Sequence, residues 1–315
     1  MRSRGFDAAP VSREVEVLAM EDWRARTVTG RQLRALRTIR ARAPHDARDL
    51  LQAHESVRPD ALIVDILASG ALGAAASWDV PWSCYRTFPL PASQAALGLL
   101  GVSRALATAR LHLYTSAPPF ERRKDWPSGV VMVGPCEWEP AGEQPPGLAA
   151  VEEPLVLVTT SSELQDDGRL VDVALEALAG EPFHVVATTP STPTARLDTP
   201  VGATVVPFAP HEPILRRAIC AITHGGMGAT QKALTLGVPV CAVPFGRDQL
   251  EVARRVVASQ AGTRLAARRL RPDRLRRKVR EAIGCRVGAQ RLARAFAAAG
   301  GAKAAADAVE GRLLP

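Results

Sequence analysis

Apolar and polar positions in the second half of the chain follow two alternating periods. Short apolar runs, typical of buried parallel strands, recur as PLVLVTT, HVVATT, ATVVPF, CAIT and PVCAVPF between residues 154 and 245. Stretches with apolar residues at helical spacing lie between several of them; the clearest, DDGRLVDVALEALAG, ends at a glycine. This alternation predicts a parallel sheet covered by helices on both faces.

The first part of the chain has fewer strands and one long helical stretch. Apolar positions recur at helical spacing over residues 30–60, which predicts an amphipathic helix with Pro44 as a candidate kink. The runs ALIVDI, PWSCYRTF, LHLYTS and VVMVGP are interpreted as short strands, and GALGAAASWDV as a helix.

Residues 134–153 hold four prolines, three glycines and several acidic residues, and no periodicity survives there. Such a composition is typical of a linker between domains. We therefore predict four parts: a partial N-terminal domain over 1–135, a linker over 136–153, a C-terminal domain over 154–299 and a closing helix over 300–315.

Composition and charge are those of an ordinary globular protein, with 47% apolar and 23% charged residues. The formal net charge of +8 comes almost entirely from arginine. It indicates either a nucleic-acid partner or arginines spread over solvated helix faces. The second interpretation is favoured, because no arginine cluster is interleaved with aromatic residues for base stacking, and no nucleic-acid partner is expected.

Cysteine usage and the first residues bear on the location of the protein. Five cysteines without C-x-x-C spacing predict neither a disulfide framework nor a zinc site, which suits a reducing cytoplasm. The opening MRSRGFDAAPVSREVEV lacks the apolar core of a signal peptide, and the longest apolar run is interrupted by Asp65. We therefore expect a cytoplasmic protein without a membrane span.

The stretch AICAITHGGMGATQKAL places a histidine and three glycines where a strand passes into a helix. Glycine permits a sharp, bare turn, and the free amides at the helix start form an anion site suited to phosphate. His224 at the rim can donate a hydrogen bond to the same anion. The alternative is a tight connection with an incidental histidine, because neither the dinucleotide fingerprint nor the phosphate loop ending in Gly-Lys-Ser/Thr is present.

A second motif, GVPVCAVPFGRDQ, places Asp248 and Gln249 just beyond the next strand. Because one helix separates the two strands, they are predicted to be neighbours in a βαβ unit. A carboxylate beside an amide can bind vicinal hydroxyls, although Asp248 is also placed to cap the following helix. Phosphate-binding amides together with hydroxyl-binding side chains indicate a phosphorylated sugar such as a nucleotide-sugar.

The stretch HGGMGATQKALTLGVPVCAVPFGRDQLEVARRV resembles the donor-site signature of family 1 glycosyltransferases, and especially that of bacterial macrolide and antibiotic glycosyltransferases. The similarity covers nearly all of residues 60–315 and is specific over 155–258. It implies the α/β GT-B fold, with two Rossmann-like domains built on parallel sheets, of which the N-terminal one is truncated.

The resemblance also implies a role for each matching residue. The donor pyrophosphate would be bound by side chains or amides of Ser161, Ser162, His224, Gly226, Met227 and Gly228. The remaining donor contacts would come from Phe208 and the backbone of Ala209 at the base, and from Asp248 and Gln249 at the sugar hydroxyls. Asp65 matches the aspartate that orients the catalytic histidine of the family.

Two departures from the family pattern matter. Many relatives carry a glutamate for the ribose hydroxyls at the position of Lys232, and a lysine cannot accept a hydrogen bond, which favours a deoxyribose donor. The opening strand, glycine turn and catalytic histidine of the family have no counterpart, so about 50–70 residues are expected to be missing, on the usual length of a βαβ unit. A misassigned start, a degenerate relative or completion by another chain would each account for this.

The resulting expectation is a glycosyltransferase that moves a sugar from a dTDP- or UDP-sugar to a hydroxyl of a small hydrophobic natural product, with inversion and without a metal. No cofactor is expected, since the nucleotide-sugar is a co-substrate, and a homodimer is possible. Residues 81–101 are expected either to line the acceptor pocket or to belong to the core. Alternatives are a catalytically impaired nucleotide-sugar-binding accessory protein and a GT-B epimerase.

Overall fold

Two parallel sheets organise the computed structural model, which describes residues 5–25, 27–87, 98, 101–122, 125–191 and 199–314. The N-terminal sheet has the order β1-β2-β3-β4, with β1 (Leu62–Asp65), β2 (Trp82–Arg86), β3 (Leu111–Tyr114) and β4 (Val130–Met132). The C-terminal sheet has the order β10-β9-β8-β5-β6-β7, with β5 (Leu155–Thr159), β6 (His184–Thr188), β7 (Ala203–Val206), β8 (Ala218–Thr223), β9 (Val240–Ala242) and β10 (Gly262–Arg264). Every strand pairing is parallel, as the sequence pattern predicts.

Helices flank both sheets. Those of the first part are α1 (Arg13–Val17), α2 (Val28–Val57), α3 (Ser69–Ala75) and α4 (Ser103–Thr108). Those of the second part are α5 (Arg169–Leu178), α6 (His211–Leu215), α7 (Met227–Thr235), α8 (Gln249–Ala258), α9 (Pro272–Ile283), α10 (Arg286–Ala299) and α11 (Gly301–Leu313). None of the helices within the described ranges is both long and apolar enough to cross a membrane.

The six-stranded sheet is buried on both faces because its strands carry apolar residues at successive positions. Val156 and Val158 of β5 point to the layer formed by α5 and α9, whereas Leu155 and Leu157 point to α7, α8 and α10. β5 and β8 lie at the centre of this sheet, where nearly every residue is buried. The loops that follow these strands therefore start from the buried centre of the sheet.

The N-terminal sheet has its own core, formed with α2, α3 and α4. The long helix predicted over 30–60 is confirmed as α2, which continues through Pro44. α2 and α3 approach so closely that a Cβ at Gly70 would lie 1.6 Å from the carbonyl oxygen of Ala43, so only glycine fits that crossing. β1 is one of the two outer strands of this sheet, and Ile63 on it is exposed.

The structure adds one strand that the sequence pattern did not indicate, and it shows where the predicted closing helix packs. β10 extends the C-terminal sheet beyond β9. The closing helix α11 does not stand apart: it returns to the N-terminal sheet, where Leu313 packs with Leu111 and Leu113. Part of the stretch 81–101, namely 88–97, 99 and 100, lies outside the described residues, so its assignment to an acceptor pocket stays a prediction.

A buried ion pair joins the two halves of the chain. The carboxylate of Glu121, which follows β3, accepts hydrogen bonds from Tyr114 Oη and Ser116 Oγ, both at 2.7 Å, and from Arg255 Nε of α8 at 2.9 Å. The Glu121 side chain is completely buried and that of Arg255 is 8% exposed. Gln231 of α7 adds a second link by donating to the carbonyl of Thr115.

Removing the charge of Glu121 is expected to destabilise the protein strongly. Glu121→Gln leaves the guanidinium of Arg255 against an uncharged amide, with Glu251 at 3.2 Å as its remaining carboxylate partner, so the free energy of unfolding should fall by about 1–3 kcal/mol. Urea unfolding followed by circular dichroism measures this change. Asp307→Asn is the matched control, because it removes a carboxylate from an exposed pair on α11 and should cost less than about 0.5 kcal/mol. Equal midpoints for the two variants would contradict the role given to Glu121.

Candidate functional site

The predicted site residues of the C-terminal half converge at one edge of its sheet. β5, β8 and β9 are adjacent and parallel, so their carboxyl ends lie side by side. Three connections leave from this edge: the loop 160–168, the turn 224–226 and the loop 243–248. The prediction that β8 and β9 are neighbours is thereby confirmed. In open α/β sheets this edge is where ligands bind.

The three glycines of the turn lie in different steric surroundings. Gly225 has φ +85°, a left-handed conformation, and its missing side chain leaves room for Gln249, whose carbonyl oxygen would lie 3.1 Å from a Cβ. A Cβ at Gly226 would lie 2.2 Å from Nε2 of His224, so the imidazole packs directly on the glycine backbone. Gly228, in the first turn of α7, is exposed and faces open space. A ligand can therefore approach the first amides of α7, which have no acceptor within the helix.

His224 lies under this turn with one ring nitrogen unused. The side chain is 8% exposed, and Nδ1 is buried without a hydrogen-bond partner in the described part of the chain. Burial lowers the pKa of His224 to about 4, so the ring is neutral at pH 7. The site thus combines a helix N-terminus with an imidazole whose Nε2 lies against Gly226 of the turn, and both can donate hydrogen bonds to an anion bound there.

Ser161 and Ser162 follow β5 but differ in availability. Ser161 is 4% exposed; its amide donates to Asp167 Oδ2 at 2.7 Å, and its hydroxyl accepts from Gln165 Nε2 at 2.7 Å. Ser162 is exposed on the loop surface. Ser161 thus shapes the loop through bonds within the protein, and Ser162 presents its polar groups to solvent. Their contact with a phosphate stays a prediction.

Asp248 and Gln249 stand at the start of α8 and also differ. Asp248 occupies the capping position, but its side chain makes no capping hydrogen bond, and burial raises the pKa of its carboxyl group. Gln249 is 1% exposed; its side-chain Oε1 accepts from the backbone amides of Phe245 and Gly246 at 2.7 and 2.9 Å, and its side-chain Nε2 donates to Oε1 of Gln165 at 2.5 Å. Gln249 therefore ties two loops of the site together, while the carboxylate of Asp248 remains for a ligand. Sugar binding by either residue stays a prediction.

The predicted base contacts lie on the chain between β7 and α6. The side chain of Phe208 is 50% exposed, whereas Ala209 is 1% exposed and offers only its backbone. The segment after β4 covers one side of Phe208: a Cβ at Gly142 would lie 3.1 Å from the phenyl ring, and Gln144 donates to the carbonyl of Pro210 at 3.4 Å. Residues 134–147 contain no helix or strand, yet they are fastened to the C-terminal half.

Lys232, the departure from the family pattern, is neutralised by a residue of that same segment. Its ammonium group lies 2.6 Å from Oε1 of Glu139, and both side chains are largely buried. Glu139 also accepts from the amides of His211 and Glu212, at 2.8 and 3.0 Å, and so caps α6 from outside. These donors lower the pKa of Glu139 although burial alone would raise it. This pairing has no signature in the sequence, because the two residues are 93 positions apart.

Asp65 lies at the carboxyl end of β1, where the resemblance placed it. Its Oδ1 accepts from the amide of Leu67 at 2.8 Å, and burial raises the pKa of its carboxyl group. All six histidines fall within the described residues, and none of their hydrogen bonds given by the structure reaches Asp65. Its catalytic role therefore stays a prediction. No group of three or more potential ligands in the described ranges is arranged to hold a metal ion.

Arg247 is a site residue that sequence reasoning missed. It precedes Asp248, has the left-handed φ of +50° that is uncommon outside glycine, and bonds to Asp22 and Glu163. The only signal in the sequence is a charged residue inside the PFGRDQ motif.

Comparison with known proteins agrees with this architecture. Residues 174–309 match the family described as erythromycin biosynthesis protein CIII-like, C-terminal domain. The chain is 36% identical to 4'-demethylrebeccamycin synthase of Lentzea aerocolonigenes, over 65% of this chain and 51% of that protein. It is 32% identical to a PGL/p-HBAD biosynthesis rhamnosyltransferase of Mycobacterium bovis, over 58% and 41%. The chain thus spans about half the length of the curated relatives it matches.

Solved structures show the fold over most of the chain. The glycotransferase of kitacinnamycin superposes with a TM-score of 0.74 at 24% identity, covering 91% of this chain and 84% of that one. Spinosyn rhamnosyltransferase SpnG complexed with thymidine diphosphate gives 0.73 at 20% identity, covering 90% and 82%. The expectations of two parallel-sheet domains and of the GT-B fold are confirmed. The chain thus has the GT-B fold, and its residues 174–309 match the EryCIII-like C-terminal domain.

Proposed function

We propose that this chain binds a nucleotide-sugar at the carboxyl edge of its six-stranded sheet and transfers the sugar to a hydroxyl of a small hydrophobic natural product. The observation that carries the proposal is the bare N-terminus of α7 with the imidazole of His224 packed against Gly226, its Nε2 toward the turn. Amides and an imidazole so placed suit the pyrophosphate of a donor. The relatives named above, two of them a synthase and a rhamnosyltransferase of biosynthetic pathways, support the reaction class.

Other residues of the site support the proposed contacts with the base and the sugar and the preference for a dTDP-sugar. Phe208 offers an exposed ring to a base, and Asp248 a carboxylate to sugar hydroxyls. Lys232 cannot accept a hydrogen bond from a ribose 2′-hydroxyl, and its partner Glu139 already accepts from three donors, which favours a dTDP-sugar. We further propose transfer with inversion, without metal or cofactor, in the cytoplasm, by a protein able to form a homodimer.

A second candidate is nucleotide-sugar binding without turnover. It is favoured by one observation: Asp65 bonds to the amide of Leu67, and no hydrogen bond given for the described residues joins it to a histidine. Without such a partner, Asp65 has no imidazole to orient toward an acceptor hydroxyl.

Incubation with dTDP- and UDP-sugars, with and without a panel of hydrophobic hydroxylated acceptors, tests these possibilities. Release of nucleotide only when an acceptor is present supports transfer. Tight binding without release supports the accessory function, and interconversion of the sugar supports an epimerase. Absence of binding to either nucleotide-sugar would refute the proposal in every form.

Replacing His224 is expected to weaken donor binding. His224→Ala removes one hydrogen bond to the pyrophosphate, so the binding free energy for dTDP should become less favourable by about 1–3 kcal/mol. Calorimetric titration measures the change. His184→Ala is the matched control, because His184 lies at the opposite edge of the same sheet and bonds to Thr204. Unchanged affinity in His224→Ala would overturn the pyrophosphate assignment.

Binding of dTDP should also take up protons at His224. The free protein holds the pKa of His224 at about 4, and an adjacent diphosphate favours the charged ring, so the pKa rises in the complex. The complex then binds more protons than the free protein, and affinity increases as the pH falls from 7 toward 5. Comparing wild type with His224→Gln in two buffers of different ionisation enthalpy isolates this contribution, because titration of the nucleotide is common to both. Identical proton uptake in the two proteins would show that the ring stays neutral.

A further inference from the structure

Arg247 is held at the rim of the site by two carboxylates from different parts of the chain. Its Nε and Nη2 donate to Oδ1 of Asp22 at 3.1 and 3.0 Å, and its Nη1 donates to Oε2 of Glu163 at 2.6 Å. The Arg247 side chain is 20% exposed. A left-handed backbone at a residue other than glycine costs free energy, so these contacts hold a conformation that the chain does not favour by itself.

The two partners of Arg247 are not equivalent. Asp22 is 4% exposed and accepts two hydrogen bonds, as a fixed buried counterion does. Glu163 is 62% exposed and accepts one, on the loop that follows β5. A pair with such an exposed partner contributes little net stability, so another anion can displace Glu163 at small cost.

The guanidinium also lies beside the predicted pyrophosphate site. Gln249 bonds loop 243–248 to Gln165 of loop 160–168, and its backbone packs on Gly225 of the turn. Arg247 and Glu163 thus bridge the same two loops that meet the N-terminus of α7. The positive charge of Arg247 also contributes to the lowered pKa of His224, which agrees with this proximity.

The charge of a diphosphate requires a cation at the proposed site, and Arg247 can supply it. The proposed site offers amides and an imidazole that is neutral before binding, whereas a nucleoside diphosphate carries at least two negative charges. Lys232, the cation of α7, is already paired with Glu139. Arg247 has a weakly held carboxylate partner that occupies the position of an anion, and arginine binds phosphate in the same forked geometry as carboxylate.

We propose that Arg247 binds the diphosphate of the donor, exchanging Glu163 for a phosphate oxygen while Asp22 keeps its place. This role rests on the proposed function. Arg247 would be a cationic donor-binding residue, and Glu163 a carboxylate of the same protein that competes with the phosphate for it. In the ligand-free protein Glu163 occupies the phosphate-binding face of Arg247. Because Asp22 belongs to the segment before α2, the exchange also ties the bound donor to the N-terminal part of the chain.

The decisive variant is Glu163→Gln, which removes the competing charge on an exposed loop and leaves the fold intact. It should bind dTDP several-fold more tightly than wild type. Arg247→Gln should lose affinity for dTDP by more than tenfold, lose less for dTMP, and show a shallower salt dependence. The controls are Asp307→Asn and Arg280→Gln, which remove exposed charges of paired residues on α11 and α9 and should leave both affinities unchanged.

Calorimetric titration of dTDP and dTMP at several salt concentrations, with melting temperatures of every variant, separates the outcomes. Unchanged or weaker dTDP binding in Glu163→Gln would overturn the proposal, because a displaced competitor must improve binding. Equal losses of affinity for dTDP and dTMP in Arg247→Gln would contradict the proposal and show that Arg247 only holds the two loops together. If wild type binds neither nucleotide, the proposed function fails and this inference fails with it; if wild type binds dTDP and only the Glu163 and Arg247 results disagree, the inference alone fails.

Discussion

The arrangement of the molecule depends on one buried carboxylate. The side chain of Glu121 has no exposed surface, and its carboxylate is surrounded by two hydroxyl groups of the N-terminal half and the guanidinium of Arg255. Arg255 belongs to α8, the helix that begins at Gln249 and follows the PFGRDQ loop. The pair therefore fixes α8 against the segment that follows β3.

The loop that leads into α8 is also held by an ion pair with the N-terminal half of the chain. Arg247 reaches Asp22, and Arg31 of α2 donates to the carbonyl of Phe245, so the N-terminal half holds both ends of the segment 245–255. The contact of Arg247 with Glu163 differs, since its carboxylate is solvated. The molecule thus combines a buried ionic link that resists change with an exposed one that an anionic ligand can replace.

Part of the site could be predicted because its reasons are local. The turn at 225–228 needs glycine for a left-handed backbone conformation and for close packing against His224, and a cluster of glycines in the sequence indicates such a requirement. The partners of Lys232 and Arg247 could not be predicted in this way. Glu139 is 93 positions from Lys232, and Asp22 is 225 positions from Arg247, so only folding brings these charges together. The PFGRDQ motif likewise does not indicate that the side chain of Gln249 hydrogen-bonds to three groups within the protein.

The sequence by itself determined the class of fold, the alternation of strands β5 to β9 with helices in the C-terminal half, and the position of the glycine turn, because period and glycine placement act over a few residues. The tertiary structure decided which polar residues remain free for a ligand. His224 keeps an unused nitrogen, Gln249 does not, and Arg247 gains a replaceable partner, because hydrogen-bond satisfaction depends on neighbours from distant parts of the chain. It also decided that α11 returns to the N-terminal sheet, since its small apolar face matches a surface there that no local pattern reveals.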